Sequence, residues 1–317
     1  MIDIWKQLVL NKGVNGRTPH IVQYQGSKRL LASQILKYMP RRFNRLFEPF
    51  SGMAAVTIAV AKEDRAKQYY INDINEPIVR VLQMAINDPF ALIEKYTKVW
   101  SEQFSYGDGH LEHFYCVRNH FNNGEQTAEN MLYLLARCVK GSVRYGKNGN
   151  FNQSPDKRRH GTNPKNMAEN ISAISTMLKG KTVFSACDYR EVFEMVKSGD
   201  LVYMDPPYQG VSTSRDNRYL SGLSFDEFCQ SIETLNKKKI DYIISYDGEC
   251  GEREYGKELP KRLHCTKYML NAGISTQSTL LGRKNTTLES LYVSKNIVAT
   301  ITKSIPKQMA LMESLYG

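Results

Sequence analysis

The sequence predicts an α/β fold whose sheet-forming segments are split by a helical insertion, and three observations carry that expectation. From Arg45 to Asn75 the order is strand, glycine turn, helix, strand and acidic residue, as in a nucleotide-binding βαβ unit. From about Asp88 to Gly180 the alternation of strand and helix stops. After Lys181 it resumes, with short apolar runs separated by helical periodicity.

The first strand is the short apolar run Arg45-Leu46-Phe47-Glu48-Pro49-Phe50, and Ser51-Gly52 turns it into the helix-favouring Met53 to Ala61. Gln68-Tyr69-Tyr70-Ile71 is the next strand; it ends in Asn72-Asp73-Ile74-Asn75 ahead of another helix. The insertion opens with helical patterns at Pro89 to Gln103 and Ala128 to Val139. It then becomes rich in Gly, Asn and basic residues from Gly141 through Asn152, and on through Lys157-Arg158-Arg159-His160 to Gly161. Thr182 to Ser185, Asp200 to Met204, Ile240 to Ser245 and Leu288 to Ser294 are the later strands, with helices at Arg190 to Lys197 and Phe225 to Lys237. This divides the chain into an α/β unit of residues 1–87 and 181–317 and an inserted helical unit of residues 88–180. A basic loop or hairpin is expected at about 141–165.

At 317 residues the chain is long enough for one large domain, or a main domain with a substantial insertion. No stretch approaches the ~20 apolar residues of a membrane span, and the first residues, Met-Ile-Asp-Ile-Trp-Lys-Gln, do not resemble a secretory signal. The expectation is a cytoplasmic protein without a membrane partner. The 43 Lys+Arg exceed the 32 Asp+Glu by 11, which favours a polyanionic partner through phosphate neutralisation. The six cysteines contain no C-x-x-C pair and the six histidines form no ligand set, so neither a metal site nor a disulfide framework is expected.

The sharpest chemical signal is Asp205-Pro206-Pro207-Tyr208, directly after the apolar run Leu201 to Met204. Two prolines could simply end an edge strand. The position argues for more, because ligands of open α/β sheets bind at the carboxyl ends of parallel strands. The residue types suit one reaction. An exocyclic amine on a nucleobase is a poor nucleophile, since its lone pair is delocalised into the ring. Two acceptors holding the amino hydrogens, the Asp205 carboxylate and the Pro206 carbonyl, would turn the nitrogen toward tetrahedral geometry and free the lone pair. Pro207 stiffens the turn and Tyr208 offers a stacking face. A base inside a duplex cannot reach such a pocket unless it is flipped out.

Two weaker signals accompany it. In Phe47-Glu48-Pro49-Phe50-Ser51-Gly52-Met53-Ala54 a glycine turn lets backbone approach a cofactor, and Asp73 then ends the next strand where dinucleotide folds bind ribose hydroxyls. Asp73 could equally cap the helix that follows. Gln23-Tyr24-Gln25-Gly26-Ser27-Lys28 lacks the spacing of a phosphate-binding loop, yet its turn could present Lys28 to a carboxylate.

In this order the segments resemble the Dam-like DNA adenine-N6 methyltransferases, whose motifs run N-terminal Gly-Lys segment, glycine motif, recognition insertion, then Asp-Pro-Pro-Tyr. The resemblance implies a Rossmann-like, seven-stranded sheet of the S-adenosylmethionine (AdoMet)-dependent methyltransferase type, with an inserted helical target-recognition domain. It implies AdoMet as cofactor and double-stranded DNA as partner. It further implies that Tyr24 and Lys28 contact AdoMet, that Glu48 and Gly52 line its methionine part, and that Asp73 holds its ribose. Asp205 would touch both cofactor and adenine, with Pro206, Pro207 and Tyr208 completing the catalytic motif. Asp188, in Ala-Cys-Asp-Tyr after a strand, falls where such enzymes place an acidic residue near the cofactor. Ala54 stands where the glycine motif usually carries a second glycine. Cytosine N4, adenine in RNA, or a catalytically silent nucleic-acid-binding protein remain alternative readings, as does modification paired with a cognate restriction endonuclease.

DNA contacts are expected from the basic stretch: Arg144, Lys147, Asn148, Lys157, Arg158 and Arg159, with Tyr145 among them as an aromatic able to fill a vacated base position. Arg41, Arg42 and Arg45 are expected on a solvated face. A polar stretch from Asn271 through Thr287 resembles the late hairpin of these enzymes, which meets the DNA backbone.

Overall fold

The computed structural model describes residues 18–105, 110–207, 223–250, 253–255, 258–274 and 286–300. Eight strands form one sheet: β1 (Phe43–Glu48), β2 (Ala66–Asn72), β3 (Thr182–Ser185), β4 (Leu201–Met204), β5 (Asp241–Cys250), β6 (Arg253–Tyr255), β7 (Cys265–Ile274) and β8 (Thr286–Ser294). Seven lie in the order β3-β2-β1-β4-β5-β8-β7, and β6 pairs with the end of β5. Strands β3 to β5 along that path are parallel, while β8 runs antiparallel to both neighbours. The α/β sheet with seven strands implied by the resemblance is therefore present; it is mixed, and β6 adds an eighth strand off that path.

The two-residue period of each strand separates two apolar layers. Leu201 and Tyr203 of β4, Ile243 of β5 and Leu291 and Val293 of β8 face one way. Val202, Met204, Ile244 and Tyr292 face the other. All four residues of β4 are buried, the pattern of a parallel strand covered on both faces.

On the first face lie α1 (Ala55–Lys62), α2 (Glu76–Asn87), α3 (Pro89–Glu102), α4 (His110–Asn122), α5 (Ala128–Arg137) and α6 (Pro164–Leu178). On the second lie α7 (Tyr189–Met195) and α8 (Phe225–Lys237). No boundaries for α6 were expected, and it begins at Pro164, just inside the basic loop or hairpin expected at about 141–165. Its signal is present: Asn163 caps the helix through its side chain, Pro164 takes the first turn, and Met167, Ile171, Ile174 and Leu178 fall on one stripe. Those four side chains are fully buried, each worth about 1.5–3 kcal/mol of transfer free energy. They join the helices of residues 88–180 to the same hydrophobic cluster as β1, β4 and β5.

Asn271 to Ile274 end β7, an edge strand antiparallel to β8 from Cys265↔Ser294 to Ile274↔Thr286, so these two strands flank the stretch expected as a late hairpin; its residues 275–285 lie outside the described residues. One further expectation is corrected. Arg41 and Arg42 are exposed as expected, but Arg45 makes a two-pronged contact with buried Asp200, at 3.0 and 2.6 Å, tying the start of β1 to the start of β4. Among the described residues no helix is long and apolar enough to cross a membrane.

Candidate active site

The order β2-β1-β4 makes the boundary between β1 and β4 a switch point, and the crevice outside such strand ends is where open α/β sheets hold ligands. Four acidic residues reach it by fold position alone. Glu48 is the last residue of β1, and Asp73 follows β2. Asp188 follows β3, and Asp205 follows β4. Together with Tyr24, Lys28, Gly52, Pro206 and Pro207 they line a cavity of about 530 Å³, within the usual range for a small-molecule site.

Buried Asn72 links the strand ends that flank the cavity. Its amide donates to the carbonyls of Pro49 and Cys187, at 3.0 Å each. Its Oδ1 accepts from Ser185 Oγ at 2.6 Å and from the Cys187 N–H at 3.1 Å. One side chain thus fastens the ends of β1, β2 and β3 together.

Asp73 serves the backbone of the loops. Its Oδ2 accepts the N–H of Gly52 at 2.8 Å and its Oδ1 that of Asn75 at 2.9 Å. Burial raises its pKa, opposed by those two N–H groups. Gly52 has φ +47°, and a Cβ there would lie 2.8 Å from Tyr24 Cε1, so only glycine lets the Tyr24 ring close over this turn. Two residues on, buried Ala54 adopts φ +54°, ψ +39°. That is the left-handed conformation, which costs an L-residue roughly 1–2 kcal/mol and explains a preference for glycine at this point of the turn.

Glu48 is buried and accepts from both the N–H, at 3.0 Å, and the hydroxyl of Thr57 in the first turn of α1. Burial pushes its pKa up to about 8, against the Thr57 hydrogen bonds and with help from the nearby Asp205 charge. It therefore stands largely protonated at neutral pH.

Lys28 is the buried cation of the site. Gly26, at φ +82°, turns the chain, the Gln25 N–H bonds to the Gly141 carbonyl at 3.0 Å, and Ser27 Oγ caps a short helical turn beginning at Lys28. The Lys28 ammonium then reaches Asp205 Oδ1 at 2.9 Å and Glu289 Oε1 at 2.5 Å. Burial raises the Asp205 pKa most; Lys28 opposes the shift and the Glu289 charge adds to it.

Asp188 caps α7 in a capping box with Glu191 and makes two contacts with Arg190, at 2.7 and 3.1 Å. Hydrogen bonding to Arg190 holds its carboxyl below the usual range. Tyr145 does not project from the basic stretch. It is buried, with its hydroxyl donating to Asn75 Oδ1 at 3.1 Å and its ring edge-on to Phe151, and it faces the cavity. The burial follows from a tight hairpin closed by the Tyr145↔Phe151 bridge and by Gly146 N–H bonding to the Asn150 carbonyl at 2.8 Å. Arg144, Lys147, Asn148, Lys157, Arg158 and Arg159 are exposed on or beside that hairpin and do not line the cavity. Tyr208 lies outside the described residues.

Asn72, Asn75, Ser142, Val143 and Glu289 were not among the residues expected at the site. Glu289 left a trace, because it interrupts the inward alternation that Leu291 and Val293 continue. Ser142 and Val143 line the cavity because the chain after α5 folds back over the N-terminal segment.

The chain matches the D12 class N6 adenine-specific DNA methyltransferases over residues 24–298. It is 28% identical over 233 residues to the type II methyltransferase M.MjaIII of Methanocaldococcus jannaschii, covering 69% of this chain and 79% of that protein. The retron Ec67 DNA adenine methylase of Escherichia coli is 28% identical over 71% of this chain and 73% of its own length. The DNA adenine methylase of Haemophilus influenzae is 24% identical over 71% and 78%.

Proposed function

The chain belongs to the D12 class of N6 adenine-specific DNA methyltransferases, and from that membership we propose that the cavity between β1 and β4 holds AdoMet with a flipped-out adenine beside it. The observation that carries this reading is the convergence of Lys28, Asp73 and Asp205, from three distant segments, on one cavity.

The residues present fit such a cofactor. The glycine turn at Gly52 leaves room for close backbone approach, Tyr24 offers an aromatic wall, and Asp73 and Asp205 are acceptors suited to hydroxyl and amino hydrogens. Glu48 and Gly52 would line the methionine part, Asp73 the ribose, Tyr24 and Lys28 the adjoining wall, and Asp188 the adenine end. Bound there, AdoMet supplies an electrophilic methyl group on a sulfonium. Asp205 and the Pro206 carbonyl hold the two amino hydrogens of the target adenine, and Pro207 keeps that carbonyl fixed. Lys28 holds Asp205 in place through Oδ1.

Residues 88–180 act as the target-recognition unit. Exposed Arg144, Lys147, Asn148, Lys157, Arg158 and Arg159 meet phosphates and base edges, in keeping with the +11 charge of the chain. The relatives named type II methyltransferases support a role as the modification partner of a restriction endonuclease.

Incubating the protein with methyl-labelled AdoMet and duplex DNA, followed by nucleoside analysis, tests the reading. Label in N6-methyldeoxyadenosine is expected, and label confined to N4-methyldeoxycytidine, or absent, would refute it.

A further inference from the structure

Lys28 touches two carboxylates, and the proposed chemistry uses only one of them. Glu289 lies on β8, opposite Leu270 of β7 and Gly248 of β5. Beside it the β5–β8 register shifts, from Ser245↔Leu291 to Gly248↔Glu289. That bulge locally re-aims side chains where the sheet meets the site. Glu289 shares the inward face of Leu291 and Val293, where an apolar residue would pack without penalty. Placing a carboxylate there costs desolvation free energy unless it is paired, and its partner is the Lys28 ammonium at 2.5 Å, with Glu289 only 14% exposed.

Among the described residues, groups facing Asp205 come from four elements. Lys28 comes from the N-terminal segment, Glu48 from β1, Tyr203 from β4 and Glu289 from β8. Tyr203 is fully buried, with its hydroxyl 2.9 Å from Ser245 Oγ. Its phenol is held far above its ordinary range, chiefly by burial and also by the charges of Asp205 and Glu289. Glu48 is largely protonated at neutral pH. Among the described residues this leaves one ammonium between two carboxylates. An ammonium held by Asp205 alone would spend its charge on that carboxylate, lowering its basicity and its strength as an acceptor. A second carboxylate on the same ammonium divides that pull.

We infer that Glu289 is a positioning residue for methyl transfer: it centres Lys28 between two carboxylates and keeps Asp205 a strong hydrogen-bond acceptor for the adenine amino group. This rests on the active-site reading above. The signal available in the sequence was one acidic residue at an inward position of an otherwise apolar strand.

The test is Glu289→Gln, which keeps an oxygen for Lys28 and removes the charge, with Glu289→Asp as the charge-retaining control. The Asp205 carboxyl is followed by 13C NMR titration, with its signal assigned by loss in Asp205→Asn, and kcat is followed against pH. Glu289→Gln should lower the Asp205 titration midpoint by about one pH unit, move the acid limb of kcat the same way, and reduce the plateau about tenfold. Glu289→Asp should leave the midpoint near wild type even if its shorter reach reduces the plateau. An unmoved midpoint in Glu289→Gln overturns the inference, even if kcat falls, since that outcome describes a merely structural residue. Should Glu289→Gln fail to fold, the titration of Glu289→Asp decides: a midpoint displaced like that of a charge-removing change overturns the inference. Absence of methyl transfer by the wild-type protein would instead overturn the active-site reading, leaving the carboxyl titration to be judged separately.

Discussion

Asp205→Ala is expected to lower methyl transfer to duplex DNA by about a thousandfold, the scale on which removal of one transition-state hydrogen-bonding group acts. Binding of the duplex should change little, because the exposed basic residues lie outside the cavity. The fold should survive, since Lys28 keeps Glu289 as a partner when Asp205 is lost. Single-turnover rates with labelled AdoMet, set beside filter binding of the same duplex, separate the two effects. Persistence of more than a few per cent of wild-type turnover would remove Asp205 from the chemistry. The wild-type rate carries the same signature in its pH dependence. Asp205 must be ionised to accept an amino hydrogen, and burial raises its pKa. Activity should therefore fail on acidification at a pH above the ordinary carboxylate range, with the acidic arm lost on lowering rather than raising pH.

Gly141→Ala is expected to damage the site from a distance. Gly141 adopts φ +59°, and an added Cβ would sit 1.9 Å from the Gln23 carbonyl oxygen and 2.6 Å from its carbon. Backbone atoms cannot rotate away as a side chain can, so the segment from Gln23 to Lys28 must move. With it goes the Gln25 N–H bond to Gly141, which aligns Tyr24 over Gly52 and Lys28 toward Asp205. The strain and the overpacking together should cost about 2–4 kcal/mol of stability. The affinity for AdoMet should drop at least about tenfold, as a misplaced first contact costs roughly 1.4 kcal/mol or more. Thermal melts with and without cofactor, and calorimetric titration, measure both quantities. Wild-type affinity in the variant would show that the N-terminal segment takes no part in cofactor binding.

Most strands of the central sheet and the acidic cavity residues Glu48, Asp73, Asp188 and Asp205 were legible because they obey local rules. The succession of β1, α1 and β2 is readable from Phe47-Glu48-Pro49-Phe50-Ser51-Gly52 and the acidic residue after β2, and Asp205 announces itself by two prolines after an apolar strand. What the sequence hid depends on distant contacts. Asn72 reads as an ordinary strand end, yet its amide fastens β1 to β3 across more than a hundred residues of chain. Glu289 acquires its meaning only when the N-terminal segment brings Lys28 beside it. Tyr145 sits in a polar, glycine-rich stretch that suggests exposure, but the hairpin turns its ring inward to Asn75. Strand β7 was missed because an edge strand with Lys267 and Asn271 along it lacks a clean apolar alternation.

A crystal structure of the protein with S-adenosylhomocysteine measures the central claim most directly. Ligand density is expected across the β1–β4 crevice, with the ribose at Asp73 and the sulfur beside Asp205. A ligand bound elsewhere, with Lys28 and Asp205 still closed on each other behind packed side chains, would contradict it.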